Sequence, residues 1–112
     1  MTNISYNEFE QVDFRSGTIT KAEVFTRAKK PAYKVWVDFG PQLGIKQTSA
    51  QITHHYTPES LIGKQVIGCI NLGEKNIGGF ISEFLLVGFP DDNGAICLAT
   101  ADLRVENGKK LF

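Results

Sequence analysis

From Tyr33 to Phe39 the chain alternates strictly. Tyr33, Val35, Val37 and Phe39 fall on one face, and Lys34, Trp36 and Asp38 on the other. Period two marks a strand with one buried side. Phe39-Gly40-Pro41 ends it, because proline cannot continue a central strand. Upstream, "FEQVDFRSG" reads as a short leading segment closing at Gly17. In "TITKAEVF" the apolar residues Ile19, Ala22 and Val24 change parity midway. A β-bulge produces such a change, and barrels use bulges to bend strands. "GIKQTSAQI" reads as a third, more polar strand.

The pattern then switches. In "TPESLIGK", Thr57 suits an N-cap and Pro58 the first helical position, where its missing N–H is not needed. Gly63 can take the left-handed conformation past the helix end. This predicts a short helix with Leu61 and Ile62 packed inward. "QVIGCINL" and "FISEFLLVGF" read as buried strands, "PDDNG" as a turn, and "AICLAT" as a last strand before the tail "ADLRVENGKKLF". Three strands, a short helix, then two or three strands predict an all-β fold. The expected form is a five-stranded OB-fold Greek-key barrel, with one short helix between strands 3 and 4 and short terminal extensions. A small β-sandwich competes, and the single mid-chain helix favours the barrel.

Composition narrows the class. The 112 residues suit one domain, residues 1–112. At 42% hydrophobic and 21% charged, the composition is globular and not disordered. No apolar run approaches the ~20 residues that span a bilayer. "MTNISYNEFEQ" lacks the basic start and apolar core of a signal peptide, so a cytoplasmic protein without membrane insertion is expected. Cys69 and Cys97 sit in apolar surroundings and are expected to act as small buried hydrophobes. There is no CxxC spacing. Twelve basic and twelve acidic residues give no global field for polyanions, unlike dedicated nucleic-acid modules. Positive charge is local: Arg27, Lys29, Lys30 and Lys34 in "RAKKPAYK", and Lys109-Lys110.

The residues that could do chemistry have structural explanations. His54 and His55 are adjacent, and neighbouring side chains point apart, so a shared metal would need further ligands from elsewhere. Ser49 with His54 lacks a nucleophile elbow, and their spacing alone does not bring hydroxyl to imidazole. Ser49 is expected to mark a close backbone approach, and Ser82-Glu83 is a similar polar pair within an apolar run. Gly78-Gly79 reads as a tight turn rather than a phosphate cradle. No catalytic residue and no metal ligand are assigned. Trp36 is more informative. It faces away from the Val35/Val37 side, where it is covered by another element, buried in a subunit contact, or free to stack on a ligand.

The segments "DFRSGTITKAE", "KPAYKVWVDFG", "GIKQTSAQIT", "LIGKQV", "INLGEKNIGGFISEFLLVG" and "NGKKL" together resemble the CsaA-type export chaperones. These form a branch of the EMAP II-like tRNA-binding domains appended to methionyl- and phenylalanyl-tRNA synthetases. The resemblance runs from Phe9 to Leu111. It implies an OB-fold homodimer without cofactor or enzymatic activity, which binds unfolded or precursor polypeptides in association with the export machinery. Where the tRNA-binding relatives carry "HPNADKL", Phe25, Thr26, Arg27 and Lys29 replace histidine, proline, asparagine and aspartate. Their "SEGM" becomes "SEFL": Ser82 and Glu83 match, and Phe84 and Leu85 do not.

The expected role is therefore a polypeptide-binding chaperone. Its cleft is expected on the face carrying Lys34, Trp36, Lys46 and Thr48, bordered by Arg27, Lys29 and Phe80, with Ser82 nearby. The alternative is a tRNA or single-stranded RNA module, stacking bases on aromatics along a basic groove. Residues 1–13 and 101–112 are the expected dimer contact. They carry Tyr6, Phe9, Leu103, Val105 and Leu111 without an evident place in a closed barrel.

Overall fold

A computed structural model describes residues 1–112. The elements in order are α1 (Tyr6–Gln11), β1 (Phe14–Val24), β2 (Tyr33–Asp38), β3 (Ile45–Ala50), α2 (Pro58–Leu61), β4 (Gln65–Cys69), β5 (Lys75–Ile77), β6 (Phe80–Ser82), β7 (Leu85–Leu86), β8 (Gly88–Pro90) and β9 (Ile96–Leu98). An antiparallel sheet runs in the order β3-β2-β1-β4-β7, with β5-β6 and β8-β9 as separate two-stranded hairpins. The sheet curls into a nearly closed barrel of the OB type, as expected. No helix is long and apolar enough to cross a membrane.

β1 is shared by both halves of the barrel. Residues 14–18 pair with β4 and residues 18–24 with β2. Between Ile19 and Lys21 the register against β2 slips, which is the bulge that the parity change predicted. Ile19, Val35, Val37, Phe39 and Val66 thus share the interior with Leu61, Ile52, Tyr33 and Phe84. Two glycines let the layers meet. A Cβ at Gly17 would clash with Val37 Cγ1, and one at Gly68 would lie 2.8 Å from both Phe39 and Phe84.

α2 closes one end of the barrel. Thr57 accepts from Ser60 N, Ser60 reaches back to the Thr57 amide, and Pro58 opens the helix. Leu61 is fully buried. Ile62 is exposed, contrary to expectation: it is already the extended C-cap residue, so it has left the inward face.

Other departures have local causes. The leading segment contains a helix, α1, fixed by a capping box in which Ser5 accepts from Glu8 N and Glu8 accepts from Ser5 N. "FISEFLLVGF" is not one strand but three short ones, because the Glu83 side chain turns to bond Gln47 and Phe84 plugs into the core against Phe39. Cys69 is buried as expected, but Cys97 is exposed on β9. That strand belongs to a two-stranded hairpin with one uncovered side.

The tail docks on its own barrel. It pairs beside the start of β1 through Arg15 and Lys110. Ser16 donates to Glu106 O and accepts from Lys109 N, and Gln65 exchanges two hydrogen bonds with Val105.

Candidate functional site

The barrel closes where β3 meets residues 81–84, and side chains make most of the closure. Glu83 N donates to Gln47 O and Gln47 N donates to Glu83 Oε1, at 2.8 and 2.9 Å. Gln47 Nε2 reaches Ile81 O at 2.9 Å. Ser49 N donates to Ser82 Oγ at 3.1 Å, and the two hydroxyls lie 3.2 Å apart. Thr48 Oγ1 donates to Phe84 O at 2.7 Å. A ladder of backbone bonds would need two extended strands. Here Ser, Thr, Gln and Glu side chains let the second segment remain irregular while its polar groups stay satisfied.

The irregular wall leaves a groove of about 960 Å³ above the seam. One side is the β1–β2 loop with Arg27, Ala28, Lys29, Lys30 and Ala32; the floor is Ser49, Ala50, Gln51 and Ile52 at the end of β3. The far side comes from Lys75–Gly78, Leu85–Gly88 and Ile96. Arg27, Lys29, Lys30 and Lys75 supply cations, and no carboxylate lines it. Leu85 is 51% exposed, so the wall offers apolar surface as well as charge. Such a concavity suits an extended chain with apolar side chains and anionic groups.

An aromatic cluster braces this wall from behind. Phe80 stands edge-on to both Phe25 and Trp36, with ring centroids 5.7 and 5.9 Å apart. Lys34 Nζ lies over the Phe25 and Phe80 rings, and Lys21 Nζ over Trp36 at 4.6 Å. Phe25 also backs the Gly78 turn, which places the β5–β6 hairpin against the Arg27 loop. Gly78 and Gly79 both have positive φ, as a tight turn there requires.

The anticipated site residues therefore divide. Arg27 and Lys29 line the groove. Lys34, Trp36 and Phe80 come together in the bracing cluster, with Trp36 half-buried. Thr48 and Lys46 do not join that outer face. They pair with Val35 and Val37, so both start from the interior side, and Thr48 is 2% exposed. Gln47, opposite Trp36, and Ser49, opposite Lys34, take the outer positions. Ser82 is buried in the seam. Lys75, Leu85 and Ile96 line the groove and were not anticipated. Only the tertiary fold brings these three distant segments beside the Arg27 loop.

Of the residues weighed for chemistry, Ser49 and Gly78 line the groove, Ser82 and Glu83 lie in the seam, and the two histidines line neither. Ser49 bonds Ser82 and not His54. His55 bonds Asp91, and this bond first, then the Ala95 amide, holds the Asp91 carboxyl below the usual carboxylate range.

Residues 14–110 match the family described as "Putative tRNA binding domain". The methionine–tRNA ligase of Methanocaldococcus jannaschii is 33% identical over 111 residues, covering 99% of this chain and 17% of that protein. That of Chlorobium chlorochromatii is 33% identical over 108 residues, covering 96% and 15%. The chain thus spans about one sixth of the length of these relatives. Among solved structures, the chaperone CsaA from Bacillus anthracis is 40% identical with a TM-score of 0.92, covering 99% of this chain and 100% of that one. The CsaA chaperone protein from Picrophilus torridus is 41% identical with a TM-score of 0.92, covering 98% and 100%. A MetRS-related protein from Pyrococcus horikoshii is 28% identical, with a TM-score of 0.87 and full coverage of both.

Proposed function

The chain belongs to the tRNA-binding-domain family, and we propose that it works as a chaperone that binds unfolded or precursor polypeptides for export. The observation that carries this reading is the groove, with apolar walls at Ile77, Leu85 and Ile96 and a rim of Arg27, Lys29, Lys30 and Lys75. Likeness to CsaA proteins along their whole length supports it. An extended segment lays its side chains against the walls, while the rim attracts acidic groups on the segment or on an export partner. Lys34, Trp36 and Phe80 hold the hairpin wall, and Thr48 and Ser82 hold the seam beneath it. Lys46 lies early in β3, outside the groove lining. Binding is weak and promiscuous, because ordering a flexible chain costs entropy. The protein acts in the cytoplasm without catalysis or cofactor.

Pairing of two copies through residues 1–13 and 101–112 completes the reading. Tyr6, Leu103, Leu111 and Phe112 are exposed there, and a second copy would cover them. Sedimentation at micromolar protein checks this, and a monomer would remove it.

Fluorescence anisotropy with an acidic, leucine-containing peptide tests the groove. Leu85→Asp and Lys75→Glu should each weaken binding at least about ten-fold and reduce suppression of client aggregation, while Trp36→Ala should act through the wall. Wild-type affinity in both groove variants would overturn the site.

The same cations without a carboxylate favour a second reading, a tRNA or single-stranded RNA module. Titration of tRNA at two salt concentrations separates the two. Each neutralised phosphate should contribute about 0.7 to the slope of log affinity on log salt. Absence of saturable binding at low salt sinks this reading.

A further inference from the structure

The fold supplies His55 with partners that lie far away in sequence. Its Nε2 is 2.7 Å from Asp91 Oδ2. Cys97 Sγ joins them, so that one imidazole nitrogen, one carboxylate oxygen and one sulfur all lie within 4.8 Å of one another. We propose that these three residues form a site for a zinc-type divalent cation, with a fourth position open to water.

The chemistry of the donor set fits. Nitrogen, oxygen and thiolate sulfur are the ligands zinc takes, and three protein ligands plus water is a common open arrangement. At ligand distances of about 2.0–2.3 Å, donors around one tetrahedral ion sit roughly 3.2–3.8 Å apart. Movements of about 1 Å or less bring the present donors to that geometry.

The surroundings hold the donors in place. Asp91 Oδ1 accepts from Asn93 N and Ala95 N, both at 2.9 Å, which fixes the carboxylate and leaves Oδ2 turned to His55. Tyr56 Oη accepts from Leu98 N at 2.9 Å, so the residues that follow His55 and Cys97 are tied together. Tyr33 in turn donates to Tyr56 O at 2.7 Å and anchors the loop to β2. Two segments are thereby set in register, the loop before α2 and the β8–β9 hairpin.

On binding, the ion takes the place of the proton between His55 Nε2 and Asp91 Oδ2. The neutral imidazole then carries its proton on Nδ1, and the Cys97 thiol releases its proton to solvent. A Cys-His-Asp nucleophile reading is weaker. Neither the basic groove nor the smaller one at Tyr56, Lys64 and Arg104 is lined by these residues, so neither groove presents a substrate to the thiol.

Cobalt(II) is the probe, added to the reduced, metal-free full-length chain. A thiolate-to-cobalt charge-transfer band should rise, saturate at one ion per chain and disappear when zinc is added. Cys97→Ser should abolish the band, and His55→Gln should weaken cobalt binding at least about ten-fold. Both residues are exposed, so both variants should fold. Cys69→Ala, which removes the buried thiol, should leave the band intact. No saturable band, or a band that survives Cys97→Ser, overturns the proposal.

Discussion

The two sides of this barrel are built by different means. On the β1–β4 side, strands of five to eleven residues are joined by backbone ladders, interrupted by the bulge after Ile19, over side chains such as Val35 and Val37, which have no exposed surface. On the side formed by residues 75–98, strands have two or three residues, and Ser49, Thr48, Gln47 and Glu83 side chains make the connections to β3. The regular side needs only the right alternation to form. The irregular side can bend away from β3 and leave a groove, because the groups facing β3 find side-chain partners instead of a ladder. Rigidity and concavity are thus assigned to opposite walls.

Phe39→Ala should break the comparison most severely. Phe39 meets Phe84 edge-on at 5.0 Å across the interior, so it is where the two sides lean on each other. Its loss should cost about 3–5 kcal/mol in denaturant unfolding. A cost below about 1 kcal/mol would mean that the sides are stable independently.

Glu83→Ala comes next. It removes the acceptor for Gln47 N in the seam and should cost roughly 1.5–3 kcal/mol, as expected for a hydrogen bond to a charged group. Amide exchange should quicken in residues 75–86 before it does in β1 and β2. Uniform acceleration across the sheet would show that the seam is not a separate weak point.

Thr48→Val sharpens the same test with less damage. The methyl fills the space of the hydroxyl but leaves Phe84 O without its donor, for about 1–3 kcal/mol. The β2–β3 pairing should be unaffected in exchange measurements. Loss of protection at Val35 or Val37 would contradict the assignment of Thr48 to the seam.

The same division decides what could be read from the chain. The strand at Tyr33–Asp38, the bulge after Ile19 and the Thr57-Pro58 helix start were legible because each depends on neighbours in sequence. "FISEFLLVGF" was misread because its breaks come from Gln47 and Phe39, which lie far away. The groove was half legible. The Arg27 loop carries its charge in one stretch, whereas Lys75, Leu85 and Ile96 meet it only through the topology. Thr48 looked available because a polar residue in a strand suggests an outer face, and its bond to Phe84 O is invisible in sequence. α1 was the opposite case: "SYNE" spells a capping box, so its signal was local and present.

The smallest effect expected lies outside both walls, in that capping box. Glu8 accepts from the Ser5 amide and is held below its ordinary value of 4.5, first by this backbone bond and then by the Ser5 hydroxyl. A carboxylate depressed by folding contributes stability above its unfolded value, and this is lost as pH falls through its folded value. The α1 amides should therefore lose exchange protection only below the usual carboxylate range, with β1–β4 unchanged. Ser5→Ala removes the hydroxyl but keeps the amide, so the Glu8 titration, followed by carboxyl NMR, should move part of the way back towards 4.5, and α1 should fray at neutral pH. Because α1 buries no residue fully, the fraying should stop at Gln11. If Glu8 titrates identically with and without Ser5, the box does not hold the helix. If exchange rises in β1 as well, the leading helix belongs to the cooperative unit and the contrast extends to only one wall.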